Sequence, residues 1–266
     1  MISRYLKYVL FLLCLKGFGQ NFNTSQIMQM KDIEDDLYKH FHKIGYWQEY
    51  KADNSKISPY DSIAVEGKIF QDKLKSYTAN YPLTIKYDFK SLAKEGLEIA
   101  TSADGKLRIY TWDTWLGGTM HYFDNIFQYS IGSNTKSISY RDTTEGGDPG
   151  CVYSELHTLQ ANNKTYYLGV NFRVGSTRDK QEGIKIFCIE QESLNDSMRL
   201  IKTEKGLLNE LDFGYDFFAG STDRKKLIEY DDKSKTIIVP VVSKDGALSN
   251  ETNVYKFTGQ YFEKVR

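Results

Sequence analysis

The sequence predicts an α+β protein in which helices come first and a large antiparallel β region follows. Up to about residue 80, apolar residues repeat at intervals of three and four, which is the helical period. After Leu97 the chain changes to short runs rich in Tyr, Phe, Ile, Val and Thr, with turn residues between them. Strands and helices do not alternate, so a parallel βαβ sheet is not predicted.

Residues 1–19 have the pattern of a secretory signal peptide. Arg4 and Lys7 flank the start of an apolar run, YVLFLLCL, which the small residues of GFG follow. We therefore expect cleavage before Gln20. Two alternatives remain open. Cys14 closes the apolar run and could be lipidated, or the segment could stay as an anchor, although it is shorter than the roughly 20 residues that span a bilayer.

The rest of the chain divides into two predicted regions, a helical one over 20–96 that packs on the sheet and an antiparallel β domain over 97–266. The full sequence has 35 basic and 35 acidic side chains, and these alternate without forming basic blocks. A nucleic-acid surface normally shows a basic patch, so this partner is not expected. No second apolar run is long enough to span a membrane.

Two helices are predicted in the first region, with a shorter helical turn in DFKSLAKEG. We expect Gly45 to end the first helix, Ser58 to cap the second with Pro59 in its first turn, and Pro82 to lie just past its end. Because isolated helices of this length are marginal in water, both should dock on the sheet. The docking stripes are Met30, Ile33, Leu37, Phe41 and Ile44 in the first helix and Ile63, Gly67, Phe70, Leu74 and Tyr77 in the second.

The β region begins with a hairpin in which LEIATS and KLRIYTW flank a turn at Asp104 and Gly105. Ten or so further runs follow, among them MHYFDNIFQYSI, CVYSELHTL, KTYYLGVNFRV, GIKIFCIE and KTIIVPVVS. Their spacing is typical of meandering antiparallel sheets. Both an irregular propeller-like arrangement and a sandwich fit this pattern.

Two hairpin motifs resemble those of secreted bacterial β-rich proteins. The pattern S-x-D-G-K-x-x-I-Y-x-W over Ser102–Trp112 resembles the hairpin repeated in bacterial β-propeller blades. The closing YKFTGQYFEKV is similar to the terminal Y-x-F-x-G-x-x-F hairpin of many such proteins of unknown function. SADGK returns loosely as SKDGA at Ser243–Ala247. The resemblance implies blade-like hairpins and no particular activity.

The stretch Asp104–Asn125 contains the main candidate ligand site. Side chains alternate across a strand, so Leu107, Ile109 and Thr111 should face the core. This would leave an outer face of aromatic and cationic side chains, namely Arg108, Tyr110 and Trp112. The glycine pair at 117–118 would then allow a reversal of the chain that brings His121 back near Trp112 and Asp113.

The candidate ligand-binding residues of this stretch are Trp112, Asp113, Trp115, His121 and Asp124. Their aromatic rings could stack a sugar, while the acid and the imidazole could form a proton-transfer pair. The alternative, which we favour, is a structural hairpin whose aromatic rings cover a second sheet or the helices. A buried, hydrogen-bonded Asp113–His121 pair in the floor of a pocket would instead favour an enzyme.

A glycine-rich loop holds a candidate cation site made of Asp142, Glu145 and Asp148. Carboxylate and carbonyl oxygens in such loops suit calcium. The spacing matches no EF-hand, and a solvated turn is the simpler interpretation, because Gly, Asp and Pro are ordinary loop residues.

Glu155 and His157 lie two apart in a predicted strand, so they should share one face. Side by side they could serve as an acid–base or metal-binding pair. A partly exposed ladder on a solvated sheet face is the alternative that we favour.

Two cysteines, Cys151 and Cys188, would remain after signal cleavage. In an oxidising compartment an isolated pair predicts one disulfide, and two separate buried thiols are the alternative. No Cys or His spacing typical of a zinc site is present.

The sequence has no G-x-S-x-G, P-loop, HExxH or dinucleotide-binding pattern, and no cofactor is expected. An export signal and an aromatic-rich sheet without such motifs predict a secreted or periplasmic, non-catalytic binding protein with a protein or glycan partner. The alternative is a hydrolase that acts on glycan or peptidoglycan through paired carboxylates, which can be distant in sequence. Asp113, Glu145 or Glu155 would supply the carboxylates, and Trp112 or Trp115 the sugar platform.

Overall fold

The computed structural model describes residues 22–51, 58–139, 148–219 and 227–266. The expected signal peptide over 1–19, with Cys14 and the cleavage site before Gln20, lies outside the described residues. Across the described ranges, no helix is both long enough and apolar enough to cross a membrane.

The helices come first, as predicted: α1 Thr24–Glu49, α2 Pro59–Asn80, a 3-10 helix Pro82–Lys86 and the short α3 Lys90–Lys94. The Ser58 side chain caps α2 by accepting from the Asp61 backbone N–H at 3.2 Å. The prediction that Gly45 ends the first helix is wrong. One more turn follows it because Trp47 packs against the core beneath α1, and this contact outweighs the low helix propensity of glycine.

Fifteen strands follow within the described residues. Their bounds are β1 Glu98–Thr101, β2 Leu107–Asp113, β3 Phe123–Ile131, β4 Asn134–Ser139, β5 Val152–Ala161, β6 Lys164–Val174, β7 Asp179–Glu190, β8 Ser193–Asn195, β9 Ile201–Thr203, β10 Gly206–Leu208, β11 Glu210–Asp216, β12 Glu229–Asp231, β13 Thr236–Val242, β14 Leu248–Phe257 and β15 Phe262–Lys264.

These strands form three sheets. The first sheet has the order β1-β2-β3-β4. The middle sheet has the order β11-β7-β6-β5, with β8 beside β7, and the third sheet has the order β10-β9-β15-β14-β13-β12. Most neighbours are antiparallel partners joined by short turns, and β15 pairs with β9 in parallel. The predicted α+β class is therefore confirmed.

Three buried clusters show how the layers pack. The first lies between the helices and one face of the first sheet. The opposite face of that sheet packs on the middle sheet through residues such as Ile109, Phe127 and Phe187. The remaining face of the middle sheet packs on the third sheet, where Ile186 and Ile237 share a cluster. The sequence was compatible with a propeller-like arrangement and with a sandwich. The three open sheets have the sandwich-like character.

The predicted docking of the helices is confirmed. Leu37 of α1 and Phe70 of α2 are fully buried in one cluster with Tyr110 and Trp112 of β2. The Phe70 and Trp112 rings meet edge to face, with centroids 5.0 Å apart. Burying large aromatic and aliphatic side chains supplies the apolar contact that α1 and α2 would lack in isolation.

The prediction that β2 has an outer face of aromatic and cationic side chains is wrong, because the helices cover that face. Arg108, Tyr110 and Trp112 are all buried. The Arg108 guanidinium is satisfied there: its Nη1 donates to the Thr84 carbonyl at 2.9 Å and to the Tyr87 carbonyl at 2.5 Å. The alternation of side chains along β2 correctly predicted which residues share a face, but both faces of the strand are buried in a core.

The predicted disulfide is also wrong, since Cys151 and Cys188 are separate free thiols, both buried. Cys188 lies opposite Tyr166, which in turn lies opposite Leu159 of β5. Cys151 precedes Leu159 by eight residues, so strand geometry separates the two thiols by about 25 Å. A disulfide requires Cα atoms less than about 7 Å apart. Burial raises the pKa of each thiol to about 11, which keeps both neutral.

Candidate functional site

The connection from β2 to β3 is organised by the carboxylate of Asp113, the last residue of β2. Its Oδ1 accepts the backbone N–H of Trp115 at 2.8 Å, and its Oδ2 lies 2.5 Å from Nδ1 of His121. Trp115 has a φ of 55°, a left-handed conformation that is unusual for a bulky residue. Such strain persists where surrounding contacts hold it, and it is common at ligand sites.

His121 is held from three sides. Its ring stacks on Phe123 with centroids 6.1 Å apart, and its backbone N–H donates to the carbonyl of Val174 at 3.1 Å. The third contact is the Asp113 carboxylate. A carboxylate facing Nδ1 favours the tautomer with its proton on that nitrogen, which leaves the Nε2 lone pair as an acceptor. Within the described part of the chain, Nε2 has no hydrogen-bond partner.

The Asp113–His121 pair lines a small pocket of about 270 Å³ between the end of α1 and the β2–β3 connection. The side chain of Asp113 is 16% exposed and that of His121 is 35% exposed. Trp115 is 43% exposed, and its ring centroid is 6.2 Å from that of His121. The lining residues are Gln48, Asp113, Trp115, Gly117, Gly118 and His121.

Trp112 and Asp124 lie in a different place from the other three predicted residues. They are directly opposite each other in the β2–β3 register and line a separate pocket of about 210 Å³ beneath α2. Trp112 and Asp113 are adjacent in one strand, so their side chains point to opposite faces. The structure therefore brings Asp113, Trp115 and His121 together and places the other two on the helix side of the sheet.

The condition stated above for an enzyme is met in part. Asp113 and His121 are hydrogen-bonded and line a pocket, but the His121 side chain is partly open to solvent. The favoured interpretation, a structural hairpin whose aromatic rings cover the helices or a second sheet, also holds in part. The aromatic rings of Tyr110 and Trp112 cover the helix core, while the contacts of Asp113 form a local polar site that packing alone does not require.

Glu155 and His157 are in contact, as their spacing predicts. His157 Nε2 lies 3.1 Å from Glu155 Oε2, and its Nδ1 lies 3.9 Å from Asp232 Oδ2. The imidazole ring also packs against Tyr230 of the third sheet, with centroids 5.2 Å apart. The pair therefore lies where the middle and third sheets meet.

The candidate cation site falls largely outside the described residues, since Asp142 and Glu145 belong to the segment 140–147. Asp148 is exposed, and its Oδ1 accepts the backbone N–H of Gly150 at 2.9 Å. In the ranges that the structure describes, no three His, Cys, Asp or Glu side chains are grouped so that they could hold a metal ion.

No sequence pattern singles out Glu182 of β7. In the sheet it lies directly between Phe172 of β6 and Phe213 of β11. Burial raises the pKa of Glu182 to about 7, and a long contact from the Tyr215 hydroxyl, at 3.5 Å, opposes this shift. The strand register puts this carboxyl among aromatic rings. Residue types alone do not reveal that register.

Two larger surface grooves lie elsewhere. One of about 560 Å³ runs between β11 and the third sheet, and its lysines include Lys202, which pairs with Glu263. The other, of about 760 Å³, lies between the start of α1 and the end of α2. Neither groove is lined by a histidine among the described residues, so the Asp113–His121 pocket offers the more specific chemistry.

Comparison of the chain with protein-family models, curated proteins and solved structures gave no match. The resemblance of Ser102–Trp112 to propeller-blade hairpins therefore gains no support from relatives. The antiparallel, β-rich character that it implied is present.

We expect Glu182→Gln to become progressively more stable than the unmodified protein as the pH rises from 4.5 to 8. A raised pKa means that the folded state holds a proton that the unfolded chain releases, so the contribution of the neutral carboxyl is present below about pH 4.5 and is lost as the pH rises through 7. Because Glu182 is partly exposed, screening reduces the change to about 1–2 kcal/mol.

Urea denaturation of both proteins at pH 4.5, 6 and 8 measures this difference in the free energy of unfolding. Glu229→Gln, which removes an exposed carboxyl from β12, is the matched control for the loss of a surface charge. A difference between Glu182→Gln and the unmodified protein that stays constant over this pH range would refute the prediction.

Proposed function

We propose that this chain is a secreted or periplasmic, non-catalytic binding protein whose ligand is a glycan held at the Asp113–His121 pocket. The observation that carries the proposal is the exposed ring of Trp115 beside a hydrogen-bonded acid–imidazole pair. The flat apolar face of a sugar suits an aromatic ring, and its hydroxyl groups suit adjacent donors and acceptors.

The contacts of Asp113 support a site that is formed before the ligand arrives. One carboxylate oxygen fixes the backbone of Trp115, and the other fixes the ring of His121. Val174 anchors the backbone of His121 to β6. A ligand that meets side chains already held in place loses less conformational entropy on binding, which increases its affinity.

The size and polarity of the pocket support a sugar unit as the bound group. About 270 Å³ is slightly below the range typical of pockets for drug-sized molecules, so the pocket suits one ring rather than a large cofactor. Gln48, from the last turn of α1, adds an amide that can both donate and accept hydrogen bonds. Asp113 and His121 supply a carboxylate and a further acceptor.

Export is part of the proposal and is supported by the pattern of residues 1–19. Intact-mass analysis of protein recovered from outside the cytoplasm should give a chain that begins at Gln20. A lipidated Cys14 terminus, or a chain that keeps Met1, would contradict this part of the proposal.

A second function, hydrolysis of a glycan or peptidoglycan, is favoured by the same Asp113–His121 pair. An imidazole whose Nδ1 faces a carboxylate can act as a general base through Nε2. The two-carboxylate mechanism of most glycosidases needs a second carboxyl about 5–10 Å away. Among the described residues that line this pocket, Asp113 is the only carboxylate, which is why binding ranks first.

Binding to chitobiose and to soluble peptidoglycan fragments, measured by calorimetry, tests the proposal. We expect Trp115→Ala to weaken binding at least tenfold, because the stacking of the sugar on the aromatic ring and the apolar area that it buries are lost. Tyr60→Ala, which removes an exposed aromatic ring from α2, is the matched control and should bind as the unmodified protein does.

Three outcomes would overturn the proposed function. Binding of neither probe, or equal binding by Trp115→Ala and the unmodified protein, would remove the glycan site. Release of shortened products from either probe, abolished in Asp113→Asn, would instead establish the hydrolase.

A further inference from the structure

We propose that the glycan site continues from Trp115 to a second aromatic platform at Phe172, so that the ligand is a linear oligomer rather than a single sugar. This inference rests on the proposed function and extends it. A row of rings joins the two platforms: Trp115 to His121 at 6.2 Å, His121 to Phe123 at 6.1 Å and Phe123 to Phe172 at 6.2 Å between centroids.

Both ends of the row are open to solvent, His121 is partly open, and Phe123 is buried. Trp115 is 43% exposed and Phe172 is 38% exposed, whereas Phe123 is 6% exposed. Phe172 is unusual in β6, since Tyr166 to Asn171 before it are buried. Exposed aromatic rings at both ends of a single row are what a ligand longer than one sugar ring would contact.

The backbone holds the two platforms as one unit. His121 donates its N–H to the carbonyl of Val174, two residues after Phe172 in β6. Phe123 donates its N–H to the carbonyl of Pro149 at 2.8 Å, just before β5. The β2–β3 connection is therefore tied to the ends of two strands of the middle sheet, and the spacing of Trp115 and Phe172 is fixed.

Polar groups accompany the second platform as Asp113 accompanies the first. Glu182 is directly opposite Phe172 in the register of β6 and β7, so the two side chains share a sheet face. The hydroxyl of Tyr215, from β11, points to Glu182 at 3.5 Å. A carboxyl group and a phenol beside an aromatic ring can hydrogen-bond sugar hydroxyls.

Chitobiose and chitohexaose are the two probes that test the extension by calorimetry. We expect the unmodified protein to bind chitohexaose at least tenfold more tightly than chitobiose, and Phe172→Ala to lose most of this gain while it binds chitobiose normally. Trp115→Ala should weaken the binding of both probes. Phe218→Ala, at an exposed ring beyond β11, is the matched control and should change neither.

The outcomes separate the extension from the function on which it rests. Equal affinity of Phe172→Ala and the unmodified protein for chitohexaose, with Trp115→Ala weakened for both probes, overturns the extension and leaves the proposed site. Absence of binding to either probe by the unmodified protein overturns both. Because Phe172 is half-exposed, the variant should fold, and Phe172→Leu, which keeps the apolar volume but lacks the ring, should show the same selective loss.

Discussion

Ile109→Ala should lower the free energy of unfolding by about 2–5 kcal/mol, the range for removing a large aliphatic side chain from a core. Ile109 is fully buried in β2. It lies in the cluster between the first and middle sheets, with Phe127 and Phe187. Those neighbours belong to strands that are paired on both sides, so they cannot move in to fill the space. The change therefore costs both the transfer of apolar atoms and a cavity.

Urea denaturation monitored by circular dichroism measures this loss, and two variants make it specific. Ile109→Val removes one methyl group and should cost about 0.5–1.5 kcal/mol. Ile27→Ala makes the same substitution at a position in α1 that is about half exposed, and it should stay within about 0.5 kcal/mol of the unmodified protein. A similar cost at Ile27 and Ile109 would mean that the contact between the two sheets adds no stability.

The fold class could be predicted because it depends on periods that are local in sequence. The stripe of Met30, Ile33 and Leu37 repeats at three and four, and all three are buried in α1. The turn at Gly105, with a φ of 66°, needs a residue that tolerates positive φ. Such signals depend on a few residues that are close in sequence, so they can be recognised without knowing which layers pack against the element.

Partners across layers could not be predicted in the same way. Alternation in β2 separates Arg108 and Trp112 from Ile109, but it does not say that helices cover one face while a second sheet covers the other. The distance between Cys151 and Cys188 depends on the register of three strands. Register is set by the whole set of cross-strand contacts, and the spacing of two cysteines carries no information about it.

The candidate site shows the same division. The glycine pair correctly predicted a reversal that brings His121 to Asp113, since that signal is local, but Trp112, which was expected beside them, lies on the helix side of the sheet. Alternation alone should have separated Trp112 from Asp113, because neighbouring strand residues point to opposite faces. Phe172 and Glu182 could not be found from sequence, because they meet only through the pairing of β6 with β7.

Gly117→Ala should open the turn that brings His121 to Asp113, at a cost of about 1–3 kcal/mol in the free energy of unfolding. A Cβ at Gly117 would lie 2.0 Å from the carbonyl oxygen of Met120 and 3.0 Å from the ring of Tyr122. The first contact is with backbone, so no side-chain rotation relieves it. The chain from Gly117 to Met120 has to move apart, and His121 follows directly.

Gly118→Ala is the matched control, because a Cβ there meets nothing within 4 Å. It should leave stability within about 0.5 kcal/mol of the unmodified protein, so it controls for the cost of a methyl group in this turn. Gly117→Ala should weaken chitobiose binding at least tenfold, since the pocket loses the placement of His121 beside Asp113. If Gly117→Ala is destabilised yet binds chitobiose normally, the turn is structural only, and the ligand must be held by residues other than this pair.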